Sequence, residues 1–200
     1  MLDATIVLAS ASRTRRQMLE AAGLHVRVEA SGVDEDAVRA ALGRQGLVDP
    51  AIVAEKLACA KAEQVGLRYP ALPTVGADQV LALGARLFVK PNDLAEARRT
   101  LEALSGRTHD LHSAVALAEG GKITWTCVAT ARLTMRALST DVIETYLARA
   151  GADVCRSVGA YEIEGLGIQL FERIEGNYFT ILGLPLLPLL TKLRTLVGGR

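Results

Sequence analysis

Cysteine is scarce in this chain and its spacing pairs nothing: Cys59, Cys127 and Cys155 are odd in number and far apart. No CxxC and no Cys/His ligand spacing occurs, which argues against a structural zinc site and for three free thiols in a reduced, cytosolic setting. Long apolar runs are also lacking. No stretch reaches the roughly 18 residues that a bilayer-spanning helix needs. Ile6 to Ala11 is short, and Ile181 to Leu190 is interrupted by two prolines. The first of these runs follows Asp3 and precedes Arg13, Arg15 and Arg16, the reverse of the charge order in a secretion signal. A basic excess is missing, since 23 Lys and Arg face 22 Asp and Glu for a net charge of +1. Aromatic residues make up only 4% of the chain and form no patch interleaved with basic ones, which disfavours a dedicated nucleic-acid binder. A local basic pocket for a small anion stays compatible with that balance. There is no GxxxxGK[ST] motif, internal repeat or low-complexity tract.

What is present is a large apolar fraction. With 50% hydrophobic and 22% charged residues over 200 positions, the chain can bury a sizeable core and is read as one domain, 1–200, of two lobes. TIVLAS predicts a buried strand, and Ser12 caps a helix to about Ala22 that stops at Gly23. LHVRVEAS predicts a second strand, followed by a polar loop containing SGVDED. A helix is expected from about Pro50 to Val65, then a strand, ALPTVGADQVLAL, bent sharply at Gly76. VKPND breaks the pattern, and DLAEARRTLEALSG reads as a helix with an acidic start and a glycine stop. THDLHSAVALAEGG and KITWTCVATARLTMRAL flank Gly120-Gly121 as a long hairpin. STDVIETYLARAG is a helix capped by Ser139 or Thr140, and a glycine-rich loop region leads to a last helix from about Pro185 to Val197. Strands alternating with helices, plus a hairpin, indicate an α/β domain with a mixed sheet.

Four places could carry chemistry. In LASASRTRR a strand ends and a helix begins. Helix N-termini attract anions, Ser10 and Ser12 add hydroxyls, and Arg15 and Arg16 add forks suited to phosphate. The plain alternative is a capped helix with solvated arginines. In GADQVL, Asp78 sits in apolar surroundings, where a carboxylate is paired, ligates a hard cation, activates water or caps a turn. VDED places Asp34, Glu35 and Asp36 in a loop, as a metal site or as a solvated stretch, and VKPND offers Lys90 as a point charge for phosphate. Lys56 and Lys61 lie on a helix, where most lysines face solvent. His109 and His112 face opposite sides of a strand, which argues against joint metal ligation. His25 is read as structural and Trp125 as core or interface.

These pieces together resemble the Maf nucleotide pyrophosphatases over nearly the full length: LASASRTRRQML, SGVDE, KLACAKAEQV, GADQVL, KPND, LSGRTHDLHSAVAL and GLGIQLFERIEGNYFTILGLPL. The resemblance implies a two-lobed, inosine-triphosphatase-like α/β fold with an elongated mixed sheet and a central cleft. It also implies a homodimer, and hydrolysis of nucleoside triphosphates to monophosphate and pyrophosphate with Mg²⁺ or Mn²⁺. The catalytic acid falls on Asp78, and other cleft residues on Ser10, Ser12, Arg15, Glu35, Lys61 and Lys90. Asp78 with Glu35 would hold the metal or take a proton from water. Thr14, Gln79 and Glu164 stand at positions that follow base preference. Gln79 and Glu164 resemble the 7-methyl-GTP-type branch, whereas Thr14 and the tyrosine of GAYEIEG depart from it. A dTTP/UTP or broad-specificity enzyme, another phosphate-handling hydrolase and a non-catalytic regulator of cell division are the competing readings. A cytoplasmic location without membrane or stable nucleic-acid partners goes with the resemblance.

Overall fold

A computed structural model of the chain describes residues 2–46 and 48–198. Among them are seven strands and seven α-helices. The strands are β1 (Thr5–Leu8), β2 (His25–Val28), β3 (Thr74–Leu83), β4 (Arg86–Phe88), β5 (Thr108–Glu119), β6 (Lys122–Met135) and β7 (Phe171–Glu175). The helices are α1 (Arg13–Ala21), α2 (Glu35–Arg44), α3 (Pro50–Gly66), α4 (Leu94–Leu104), α5 (Thr140–Ala150), α6 (Tyr178–Ile181) and α7 (Leu186–Gly198). One mixed sheet runs in the order β2-β1-β3-β5-β6-β7, with β4 paired to β3. β1 is parallel to β2 and β3, whereas β3–β4 and β6–β7 are antiparallel.

The chain divides into two compact units, one of Met1–Gln79, His112–Thr130 and Asn177–Arg200, the other of Val80–Leu111 and Ala131–Gly176. In the first unit β1 is apolar on both faces, as a strand with parallel partners requires. Ile6 and Leu8 join Leu19 of α1, Val75 of β3 and Leu189 and Leu193 of α7, with Trp125 packed against the same cluster. Val7 and Ala9, on the alternate face, pack with Val65 of α3. Ser12 caps α1 by accepting from the Arg15 amide, and Gly23 ends the helix at φ 87°. Both residues of the Gly120-Gly121 turn are left-handed, at φ 57° and 79°, the geometry that joins adjacent antiparallel strands without splaying them.

Three expectations are corrected. SGVDED is not all loop. Asp34 caps α2 through the Ala37 amide, and Glu35 and Asp36 occupy its first turn, where acidic side chains offset the helix dipole. β3 runs unbroken through Gly76, because that glycine is needed for space and not for a bend. The glycine-rich tail is ordered into 3-10 helices at Gly151–Arg156 and Leu166–Leu170, then β7 and α6. Cys59, Cys127 and Cys155 are free.

In the second unit α4 packs on α5 and on the 3-10 helix after it. His109 is 1% exposed and shares a 2.7 Å hydrogen bond with the Tyr161 hydroxyl. Burial pushes its pKa down from 6.5 to about 4, against the opposing charge of Asp110. The unfolded chain therefore takes up this proton first. The resulting stability is full above the ordinary histidine value and is lost as pH falls toward the folded one, a change of about 3 kcal/mol. Urea melts of the wild type between pH 7 and pH 4 are expected to show that slope, and His109→Gln is expected to lack it. Equal slopes would contradict the burial argument.

Candidate active site

The site grows from one close approach in the first unit. An added Cβ on Gly76 would stand 2.1 Å from the Ala58 carbonyl oxygen and 2.6 Å from the Ala62 nitrogen. β3 therefore lies directly on the Ala58–Ala62 face of α3. Lys61 leaves that helix face beside the contact. Asp78, two residues beyond Gly76, points to the same side of the strand. The ammonium of Lys61 donates to Asp78 Oδ1 at 2.5 Å and lies 2.7 Å from Glu35 Oε1. Lys61 and Asp78 are 7% and 5% exposed. Lys61 is thus no solvent-facing helix lysine.

Glu35 also accepts from Arg39 Nη2 at 2.8 Å. Burial pushes the Glu35 pKa up, but the bonds and charges of Lys61 and Arg39 outweigh it and leave the carboxyl below its ordinary value. Among the described residues Asp78 is held through one oxygen. Its Oδ2 is buried and has no hydrogen-bond partner among them.

Arg15 reaches the same place from α1. Its Nε donates to the Gly183 carbonyl at 2.8 Å, and Nη1 donates to the Ala77 carbonyl at 2.9 Å and to Ser10 Oγ at 3.2 Å. Burial lowers its pKa, opposed by the fields of Asp78 and Glu35. Arg15 is therefore a tied side chain, unlike the exposed Arg16, which pairs with Glu20. Ser10 Oγ further accepts from the Ser12 amide at 3.3 Å, and Ser12 Oγ is engaged as the helix cap. Thr14 is half-buried in the first turn of α1.

Gln79 follows Asp78 and points its amide nitrogen inward, to Ser113 Oγ at 2.9 Å and to the Thr180 and Ile181 carbonyls at 3.2 and 3.0 Å. The donor end is thereby committed. Gly183, at φ 93°, leaves room where Arg15 and Gln79 meet: its added Cβ would lie 3.3 Å from Arg15 Nη2 and 3.6 Å from Gln79 Oε1.

The first unit thus gathers Ser10, Ser12, Arg15, Glu35, Lys61, Asp78 and Gln79. Lys90 and Glu164 belong to the second unit, where both are exposed. Arg39, Ser113 and Gly183 join the site without a sequence signal of their own having marked them, and Gly76 joins it as a spacer. Arg39 was findable, because it stands four residues after Glu35, the spacing of a helical ion pair. Among the described residues no group of three or more His, Cys, Asp and Glu side chains is placed to hold a metal.

The Maf-like protein family matches residues 5–196, and the chain belongs to that family. It is 52% identical over 191 residues to a 7-methyl-GTP pyrophosphatase of Rhizobium johnstonii, covering 96% of each chain. It is 54% identical, over the same coverage, to a 7-methyl-GTP pyrophosphatase of Mesorhizobium japonicum. It is 49% identical over 190 residues to a nucleoside triphosphate pyrophosphatase of Nitrobacter hamburgensis, covering 95% of this chain and 93% of that one. A solved HAM1 protein from Coxiella burnetii is similar at a TM-score of 0.36 and 22% identity, over 68% of this chain and 73% of that one, too slight a likeness to carry function.

Proposed function

We propose that this protein hydrolyses nucleoside triphosphates to the monophosphate and pyrophosphate and prefers 7-methyl-GTP. The names borne by its relatives support the reaction and the base. The observation that carries the chemistry is the buried Asp78, pinned through Oδ1 by Lys61 and left open at Oδ2. A carboxylate oxygen with no partner in a buried site is costly unless a ligand completes it.

Asp78 Oδ2 is the acceptor that orients the attacking water and takes its proton. Lys61 keeps Asp78 and Glu35 together and, with Arg15, offsets a triphosphate's about four negative charges. Arg15 contributes this charge from a fixed position, since three of its bonds are to the protein. The amide end of α1, capped by Ser12, adds a positive dipole end for an anion.

A divalent cation fits this set. Mg²⁺ and Mn²⁺ take carboxylate oxygens, and Mg²⁺ is usually held by one or two carboxylates with phosphate oxygens and water completing the shell. Glu35, beside Asp78, would hold it, which leaves Asp78 Oδ2 to the water. When bound, it neutralises charge on the phosphate oxygens.

The resemblance, and no distance, gives Lys90 a phosphate contact and Thr14, Gln79 and Glu164 the base. A 7-methylated guanine is cationic, and a carboxylate at Glu164 can accept from its N1–H and N2–H₂ edge. The homodimer and the cytoplasmic setting are proposed on the same ground. No helix of the described residues is long and apolar enough to cross a membrane.

Glu164→Gln is expected to lower the kcat/KM ratio of 7-methyl-GTP over GTP by about tenfold, the loss of one charge-assisted bond. Steady-state kinetics on both nucleotides checks this. An unchanged ranking would remove Glu164 from base recognition.

A further inference from the structure

We propose that His109 is a positioning residue for base discrimination, holding Tyr161 and, through it, the tight turn that carries Glu164. This inference rests on the reading that Glu164 meets the base. It concerns the second unit alone.

Tyr161 is fixed from several sides. Its hydroxyl shares the 2.7 Å bond with His109 Nε2. Its ring meets Phe171 edge-on at 4.7 Å between centroids. Gly159 leaves the ring its place, since an added Cβ there would stand 2.2 Å from Tyr161 Cε1. Between these two residues Ala160 sits at φ 57°, a left-handed conformation that costs a non-glycine residue free energy and persists only when its surroundings impose it. Tyr146 helps impose it by donating to the Ala160 carbonyl at 3.3 Å.

The turn begins at the next residue. The Gly165 amide donates to the Glu162 carbonyl at 3.3 Å, so Glu164 is the third residue of a four-residue turn. The far side is closed by the 3-10 helix Leu166–Leu170. There, an added Cβ on Gly167 would stand 2.5 Å from the Glu162 oxygen, and Arg136 Nε donates to the Gln169 carbonyl at 2.8 Å. Tyr161 anchors one end of this turn, and its hydroxyl is bonded to His109.

A filling role alone does not account for the pair. Both side chains are buried, at 1% and 4% exposure, and His109 Nδ1 has no hydrogen-bond partner among the described residues. Two apolar rings would fill such a site without leaving a buried polar atom unpaired. What the pair adds is direction, because a hydrogen bond fixes the Tyr161 ring along its long axis.

The test uses the full-length protein with Tyr161→Phe, His109→Leu and His109→Gln, each with Glu164 intact and in an E164Q background. KM and kcat are measured on 7-methyl-GTP and GTP, with melting temperatures alongside. Tyr161→Phe and His109→Leu are expected to raise KM for 7-methyl-GTP about tenfold and KM for GTP, which offers the same edge without the positive charge, by only about two- to threefold, with kcat on both within about twofold. His109→Gln, which keeps a hydrogen-bonding group in place, is expected to restore most of the discrimination. In the E164Q background neither variant is expected to lower it further. A fall in melting temperature with unchanged discrimination would overturn the proposal, as would an equal further loss in the E164Q background. Tyr161→Phe removes one oxygen and keeps the proposal testable if His109→Leu does not fold. An unchanged ranking in E164Q alone strikes the base-reading role beneath it. A changed ranking there with an unaltered Tyr161→Phe strikes the positioning role alone.

Discussion

Asp78→Asn is expected to lower turnover by about 10³-fold or more while the protein stays folded. The size follows from the proposed role of Oδ2 as proton acceptor, since general-base catalysis contributes about 10²–10⁴-fold. The survival of the fold follows from Lys61. Removing one partner of a buried ion pair is strongly destabilising when it strands the other charge. Here Lys61 keeps Glu35 at 2.7 Å, and the carboxamide oxygen of the substituted side chain can still accept from its ammonium. Melting curves and circular dichroism close to wild type, with turnover lost, are the expected pair of results. Near-native turnover would remove Asp78 from the chemistry.

Gly76→Ala is expected to be the most destabilising single methyl in the first unit. The added carbon would meet backbone, at 2.1 Å from the Ala58 oxygen and 2.6 Å from the Ala62 nitrogen, and the Ala62 Cβ at 2.9 Å. Backbone cannot rotate away as a side chain does, so β3 and α3 must separate by roughly an ångström. Overpacking of that kind costs about 3 kcal/mol or more, equivalent to about 10 °C in melting temperature for a chain of this size. The same displacement pulls Lys61 from Asp78, so turnover per folded molecule is expected to fall as well. Thermal melts with kinetics on the folded fraction check both parts. A wild-type melting temperature would show that the strand and helix are not in the contact described.

These two positions show what can be read from the sequence and what cannot. β1, the Ser12 cap and the Gly120-Gly121 turn are legible because each depends on neighbours along the chain: a short apolar run, a hydroxyl before a helix, two left-handed residues. Asp78 stands out because a carboxylate among apolar residues needs a reason. Lys61 does not stand out by itself, since a helix lysine shows its burial only when the facing strand is known. Gly76 reads wrongly as a bend, because an interior glycine signals close approach as readily as it signals flexibility. Asp34, Glu35 and Asp36 read as a loop, although an aspartate followed by two acids is also the start of a helix. α2 is missed for that reason, and with it the Arg39–Glu35 pair. The turn carrying Glu164 is hidden for another reason. His109 and Tyr161 lie 52 residues apart, and no local pattern links them.

Identification of the products tests the functional assignment most directly. The purified protein is incubated with 7-methyl-GTP and with GTP, Mg²⁺ or Mn²⁺ being supplied, and the phosphorus-containing products are resolved by ³¹P NMR. Equal amounts of monophosphate and pyrophosphate are expected, formed faster from 7-methyl-GTP and absent with Asp78→Asn. Orthophosphate with the nucleoside diphosphate, or no turnover of any nucleoside triphosphate, would contradict it.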